Sequence, residues 1–224
     1  MVRWNPKPVH LFDSLLIPNV NIVLCAGTPL LKVKTKTGKL SLYPRLVYCY
    51  KSIKESLQEM LERPDFLEKC ELWRSEERDS DVFTDVYDGE IWKEFLQPDG
   101  VPFLSVPNNF ALQLNVDWFK PFKHTQHSEG AIYLTVMNLP RKERFLQENV
   151  ILVGVIPGPS EPPLHINTFL TPLVTELKQL WKGIPLNNSF RLTRAALLCC
   201  SCDIPAARKV GGFRGHRAKK VNVS

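Results

Sequence analysis

Two apolar stretches constrain the fold of this chain most, Phe110–Phe122 (FALQLNVDWFKPF) and Arg194–Ala206 (RAALLCCSCDIPA), and each runs into an aspartate. In the first, Phe110, Leu112, Leu114 and Val116 alternate with Ala111, Gln113, Asn115 and Asp117. A period of two describes a strand with one buried face and one face turning polar towards its end. Asp117 stands where the alternation gives way to an aromatic run, Trp118, Phe119 and Phe122. The second stretch is a continuous apolar run of strand length, and Asp203 follows it directly, before Pro205. If these two strands lie side by side, both carboxylates arrive at one edge of a sheet.

The residues between them are regular. After the strand ending at Asp117 comes a polar turn, then apolar strands Ala131–Leu139 and Val150–Ile156, joined through Pro140 and a charged turn. Ile166, Phe169, Leu170, Leu173, Val174, Leu177, Leu180 and Trp181 then recur three or four apart, the broad stripe of an amphipathic helix. Pro172 either opens that helix with Thr171 as its cap or kinks its first turn, and Gly183 stops it. A fourth strand, Leu192–Cys200, ends at Asp203. Three strands joined by short turns form a meander. A helical crossover from the third brings the fourth in parallel, by the strongly preferred right-handed route. Docked beside strand one, strand four completes a β-β-β-α-β order with acids on strands one and four, the RNase H-like arrangement.

Ahead of Gly100 the pattern is mixed. Residues 1–28 have no clear period and are left unassigned, with disorder an open reading. Leu30–Val33 and Leu40–Tyr50 read as a hairpin turned at Gly38. Ile53, Leu57, Met60 and Leu61 recur at helical spacing, Pro64 ends that helix, and Asp65 is positioned to cap a second. Glu71–Asp88 is acid-rich and expected to be exposed, and a short helix follows around Ile91–Leu96. Pro98-Asp-Gly100 is a turn and the best boundary. The fold class is therefore α/β (mixed α+β). An accessory α+β region over 29–100 precedes a partial RNase H-like domain over 101–212, and a basic tail occupies 213–224.

Of 224 residues, 44% are hydrophobic and 23% charged, which excludes wholesale disorder. The net charge of +6 leans towards a polyanionic partner, weakly by itself. The charge concentrates from Arg208 onward, in Arg208, Lys209, Arg214, Arg217, Lys219 and Lys220, with no acid among them. Arg214, Arg217, Lys219 and Lys220 are candidate phosphate contacts; a merely solvated end is the equal alternative. Six cysteines give no repeated CxxC pair and no framework of the small secreted kind. No run approaches a membrane span, and Pro18, Asn19 and Asn21 interrupt the one stretch like a leader. A soluble chain that is not secreted is the expectation.

Two converging carboxylates suit a pair of divalent cations. Two metals about 4 Å apart can stabilise both the attacking and the leaving oxygen of a phosphoryl transfer. The plainer reading makes each aspartate a turn former or a helix cap. His124 and His127 have HxxH spacing, but in a polar turn they read as solvated. Cys199, Cys200 and Cys202 read as buried small residues of strand four, and Glu176 as a surface charge on the crossover helix.

Several longer segments carry a resemblance: GTPLLK (27–32), YPRLVYCYKSIKESLQEMLERPDFLEKCELWR (43–74), YDGEIWKEF (87–95), NVDWFKPFKHTQHSEGAIYLTVMNLPR (115–141), NVILVGVIPGPSEP (149–162), INTFLTPLVTELKQLW (166–181) and RAALLCCSCDIPAARKVGGFRGH (194–216). Together they resemble the CACTA-type, En/Spm-like DNA transposases. The resemblance implies an RNase H-like nuclease fold, Mg²⁺ or Mn²⁺ dependence, and cleavage and strand transfer at transposon ends in the nucleus. It matches Asp117 to the first catalytic and metal-binding acid and Asp203 to the second. The family's third acid has no counterpart in this sequence, and of its early cysteines only Cys25 corresponds. The expectation is a truncated transposase-derived protein that is catalytically incomplete and partnered by DNA or by a full-length transposase. The alternatives are a domesticated, non-catalytic DNA-binding or transposase-interacting protein, or a fragment without function.

Overall fold

A computed structural model describes residues 20–23, 30–34, 40–44, 48–79, 82–95, 100–123, 126–158, 166–186 and 192–213. Residues 1–28, which show no period, contribute a strand, β1 (Val20–Val23). The two strands of the expected hairpin, β2 (Leu30–Lys34) and β3 (Leu40–Pro44), pair antiparallel, while its turn at Gly38 lies outside the described residues. Its second strand does not run on to Tyr50. It ends at Pro44, and Tyr48–Lys51 forms a separate strand, β4, that joins the main sheet.

Helix α1 (Ile53–Leu61) buries Ile53, Leu57 and Met60, the spacing read from the sequence. Helix α2 (Phe66–Glu71) begins where Asp65 was expected to cap it, but Asp65 adopts φ 63° and its side chain caps nothing. The α2 start is instead held by Lys69 N donating to the Asp65 carbonyl at 2.9 Å. After α3 (Glu90–Glu94) come β5 (Asn109–Phe119), β6 (Glu129–Val136), a short α4 (Arg141–Arg144) and β7 (Val150–Ile156). The crossover helix α5 (Asn167–Lys182) starts ahead of Pro172, which therefore neither opens it nor lies in its first turn. Thr171 Oγ1 donates to the Asn167 carbonyl at 2.8 Å beside this proline. Gly183 ends the helix at φ 94°, a conformation open to glycine, and donates back to Gln179 and Leu180. A two-residue β8 (Ile184–Pro185), β9 (Leu192–Cys202) and α6 (Ile204–Val210) complete the chain described.

Seven strands lie in the order β1-β4-β7-β6-β5-β9-β8. Every pairing is antiparallel except β5 with β9, which is parallel as the crossover argument required. Phe110, Leu112, Leu114 and Val116 point into the main core with Ile132, Leu134, Val153, Leu57, Phe169, Leu173 and Ala206. That core draws on residues from both sides of Gly100. Ala111, on the opposite face of β5, joins a smaller cluster of Tyr87, Trp92, Phe103, Met137 and Ala196. Trp181 stacks on Phe103 at 5.2 Å and ties the end of α5 to that cluster. The 71–88 stretch is thus less exposed than its acidity suggests. Tyr87 and Asp88 are buried, and Asp85 takes a two-point ion pair from the buried Arg144 at 2.9 and 3.2 Å. Among the described residues no helix is long and apolar enough to cross a membrane.

Candidate functional site

The odd-numbered face of β5 loses its cover along the strand. Ala111 is buried, Gln113 and Asn115 are half-buried, and Asp117 and Phe119 are exposed. Asp117 lies opposite Ala131 of β6, and Asn115 opposite Tyr133. On the other side, β5 and β9 pair from Asn109↔Arg194 to Leu112↔Leu197, and then the register shifts to Gln113↔Cys199. One extra residue on β9 carries the pairing on to Val116↔Cys202. Asp117 and Asp203 each come next. An unbroken register would set Ser201 opposite Val116, so it is the bulge that puts Cys202, the residue before Asp203, opposite Val116, the residue before Asp117. Neighbouring strands lie about 5 Å apart, close enough for two carboxylates to share a ligand.

The environments of the two acids differ. Asp117 has no hydrogen bond or ion pair among the described residues. Its charge reaches Tyr133: burial first, then Asp117 and Cys202, push the Tyr133 phenol up. Asp203 is the N-cap of α6, accepting from Ala206 N at 2.7 Å, with Pro205 in the first turn. The capping role weighed against the metal role is therefore real for Asp203, and among the described residues its second carboxylate oxygen has no hydrogen-bond partner. Helix α6 was not anticipated; a cap followed by proline was the available signal. Its Lys209 lies over the Trp118 ring at 4.6 Å, which secures α6 against the end of β5.

Residues 80–223, well over half the chain, match the family described as Transposase family tnp2. The chain belongs to that family. The match includes both Asp117 and Asp203, so the tnp2 assignment and the aligned sheet edge concern the same residues. No curated protein matches the chain.

The other candidate residues of this tnp2 chain fall as follows. Arg214, Arg217, Lys219 and Lys220 lie outside the described residues, as do His124 and Cys25. His127 is half-buried, with Nε2 3.0 Å from Glu129 Oε1. Cys199 and Cys200 are exposed rather than buried, because beyond Thr193 no described strand pairs with the outer edge of β9. Cys200 Sγ lies 3.1 Å from Cys202 Sγ, and burial of the thiol, then its closeness to Cys202, pushes Cys200 up to about 12. Among the described residues no group of three or more His, Cys, Asp or Glu stands together as a metal site.

Glu176 is the residue most misjudged from sequence. It accepts hydrogen bonds from Ile53 N at 2.8 Å and Ser52 Oγ at 3.1 Å, so a side chain of α5 caps the start of α1. Its role is structural, and nothing in the local pattern around residue 176 signals a partner so far back in the chain.

Proposed function

We propose that the chain is part of the DNA cleavage and strand-transfer core of a CACTA-type transposase, with an RNase H-like sheet. The observation that carries this reading is the parallel β5–β9 pairing, whose bulge sets Cys202 opposite Val116, so that each strand runs next into its aspartate. The strand order β7-β6-β5-β9 supports it, being a meander extended by a crossover strand at its first member. Membership of the tnp2 family supports DNA, at transposon ends, as the partner, and the nucleus as the compartment.

Asp117 and Asp203 are the residues that would hold Mg²⁺ or Mn²⁺. Their donor set fits, since both offer hard carboxylate oxygens not committed to another cation. Bound there, the cation would supply charge stabilisation to a reacting phosphate. The chain's own part is positional. The β5–β6 ladder fixes Asp117 opposite Ala131, and the α6 cap fixes the Asp203 side chain. Two carboxylates, with no third acid beside them among the described residues, make a weak site. Strand transfer by this polypeptide alone is therefore expected to be absent or severely reduced, leaving DNA contact and association with a complete transposase.

DNA binding is tested by fluorescence anisotropy on a labelled duplex across a salt series. The expected affinity falls steeply with salt. Replacing Arg214, Arg217, Lys219 and Lys220 by Gln should make the log–log slope shallower by roughly 3 to 4, about one for each phosphate no longer neutralised. An affinity indifferent to salt, or no affinity, would contradict the reading.

A further inference from the structure

Immediately beyond Asp117 the chain presents two aromatic rings to solvent. Phe119 is 41% exposed and Phe122 43%. Each is followed by an exposed lysine, Lys120 and Lys123, and neither lysine makes an ion pair among the described residues. The neighbouring Trp118 shows the contrast. It packs partly against the core and is covered by Lys209, whereas Phe119 points to the face that carries Asp117.

The backbone at Phe119 and the ring of Phe122 are held in place. The Phe119 carbonyl accepts from Ser128 Oγ at 3.4 Å, and Phe119 pairs with Glu129 across the ladder. Phe122 meets the His127 ring edge-on at 5.7 Å, and His127 is anchored by Glu129. His127 also lies so close over Gly158 that a Cβ there would fall 2.6 Å from its Nε2. Opposite Asp117 stands the small Ala131.

We propose that Phe119 and Phe122, with Lys120 and Lys123, form a stacking platform for unpaired nucleotides of a DNA strand lying across the Asp117/Asp203 edge. This deepens the DNA reading above and rests on it. Bases in a duplex hide their faces in the stack, whereas frayed or single-stranded bases expose them to aromatic side chains. A protein-binding patch would carry the aromatics but be depleted in lysine. Rings alternating with unpaired cations suit bases alternating with phosphates.

The test compares binding of a labelled single-stranded oligonucleotide and a blunt duplex of equal length, by anisotropy, with self-association followed by light scattering. For Phe119→Ala/Phe122→Ala, single-strand affinity should fall at least about tenfold, since stacking accounts for much of it. Duplex affinity should change less than about twofold, and Phe122→Trp should retain single-strand binding. Both rings being exposed, an unchanged melting temperature will confirm that the variant folds. Unchanged single-strand affinity, or equal loss on both DNAs, overturns the platform while leaving the DNA reading intact. Loss of self-association with DNA binding unchanged assigns the patch to protein contact and also overturns it. If the wild-type chain binds neither DNA, the platform and the DNA reading fail together.

Discussion

Single residues carry more of this fold than their types suggest. Glu176 caps α1 across a long stretch of chain, so Glu176→Ala should cost about 1 kcal/mol, typical for a missing cap. In a domain of this size that is a fall of roughly 2–4 °C in melting temperature. An unchanged midpoint would mean that Ser52 caps α1 unaided. Asp203 serves both its helix and the proposed site, so Asp203→Asn, which keeps a capping side chain, separates the two roles where Asp203→Ala cannot. Tyr87 donates to the carbonyls of Asn138 and Leu139 at 2.9 and 2.7 Å, and burial pushes its phenol up to about 12. Folding thus favours the protonated phenol over an unfolded value near 10. The stability this contributes is complete below pH 10 and is lost as pH rises from about 10 towards 12. Denaturant midpoints followed through that window should decline more steeply for wild type than for Tyr87→Phe, and parallel declines would assign the alkaline loss elsewhere.

At the level of elements, packing between neighbouring strands sets the tolerances. Gly154 pairs with Tyr50 of β4 and Ile132 of β6, and the Tyr48 ring lies directly over its Cα. A methyl group there must displace the tyrosine, so Gly154→Ala should cost about 1–3 kcal/mol as an overpacked site. Thermal unfolding checks it, and a variant as stable as wild type would mean that β4 yields at no cost. The elements legible in sequence were those with sustained periodicity: β5 from its alternation, β7 to its ends, α1 and α5 from their stripes. Those missed lacked sustained periodicity. Four-residue β1 is defined by its pairing with β4, and α6 is a single short helix. The hairpin was overextended because Tyr48 and Tyr50 look like strand residues, as they are, but of a different sheet. Nor could periodicity reveal the bulge in β9, since only pairing against β5 defines it.

For the whole molecule, the sequence was enough to dock β9 parallel to β5, because chirality restricts how a crossover returns to its sheet. It did not show that the accessory segment would extend that sheet. The entry of β4 beside β7 and of α1 against α5 depends on residues far apart in the chain. Membership of the tnp2 family suggests interaction with DNA, and the cation site proposed at Asp117 and Asp203 is the claim most open to direct test.

The most direct test of a cation site at this edge is a Mn²⁺ titration of the purified chain, following thermal unfolding of wild type and of Asp117→Asn/Asp203→Asn. Both substitutions keep size and, at residue 203, the cap, while removing charge. A ligand that binds only the folded state raises the midpoint by mass action. In wild type the midpoint should rise with Mn²⁺, by several degrees once the cation exceeds its dissociation constant about a hundredfold. The variant should show no rise. An equal rise in both proteins, or none in either, would contradict a metal site at the Asp117/Asp203 edge.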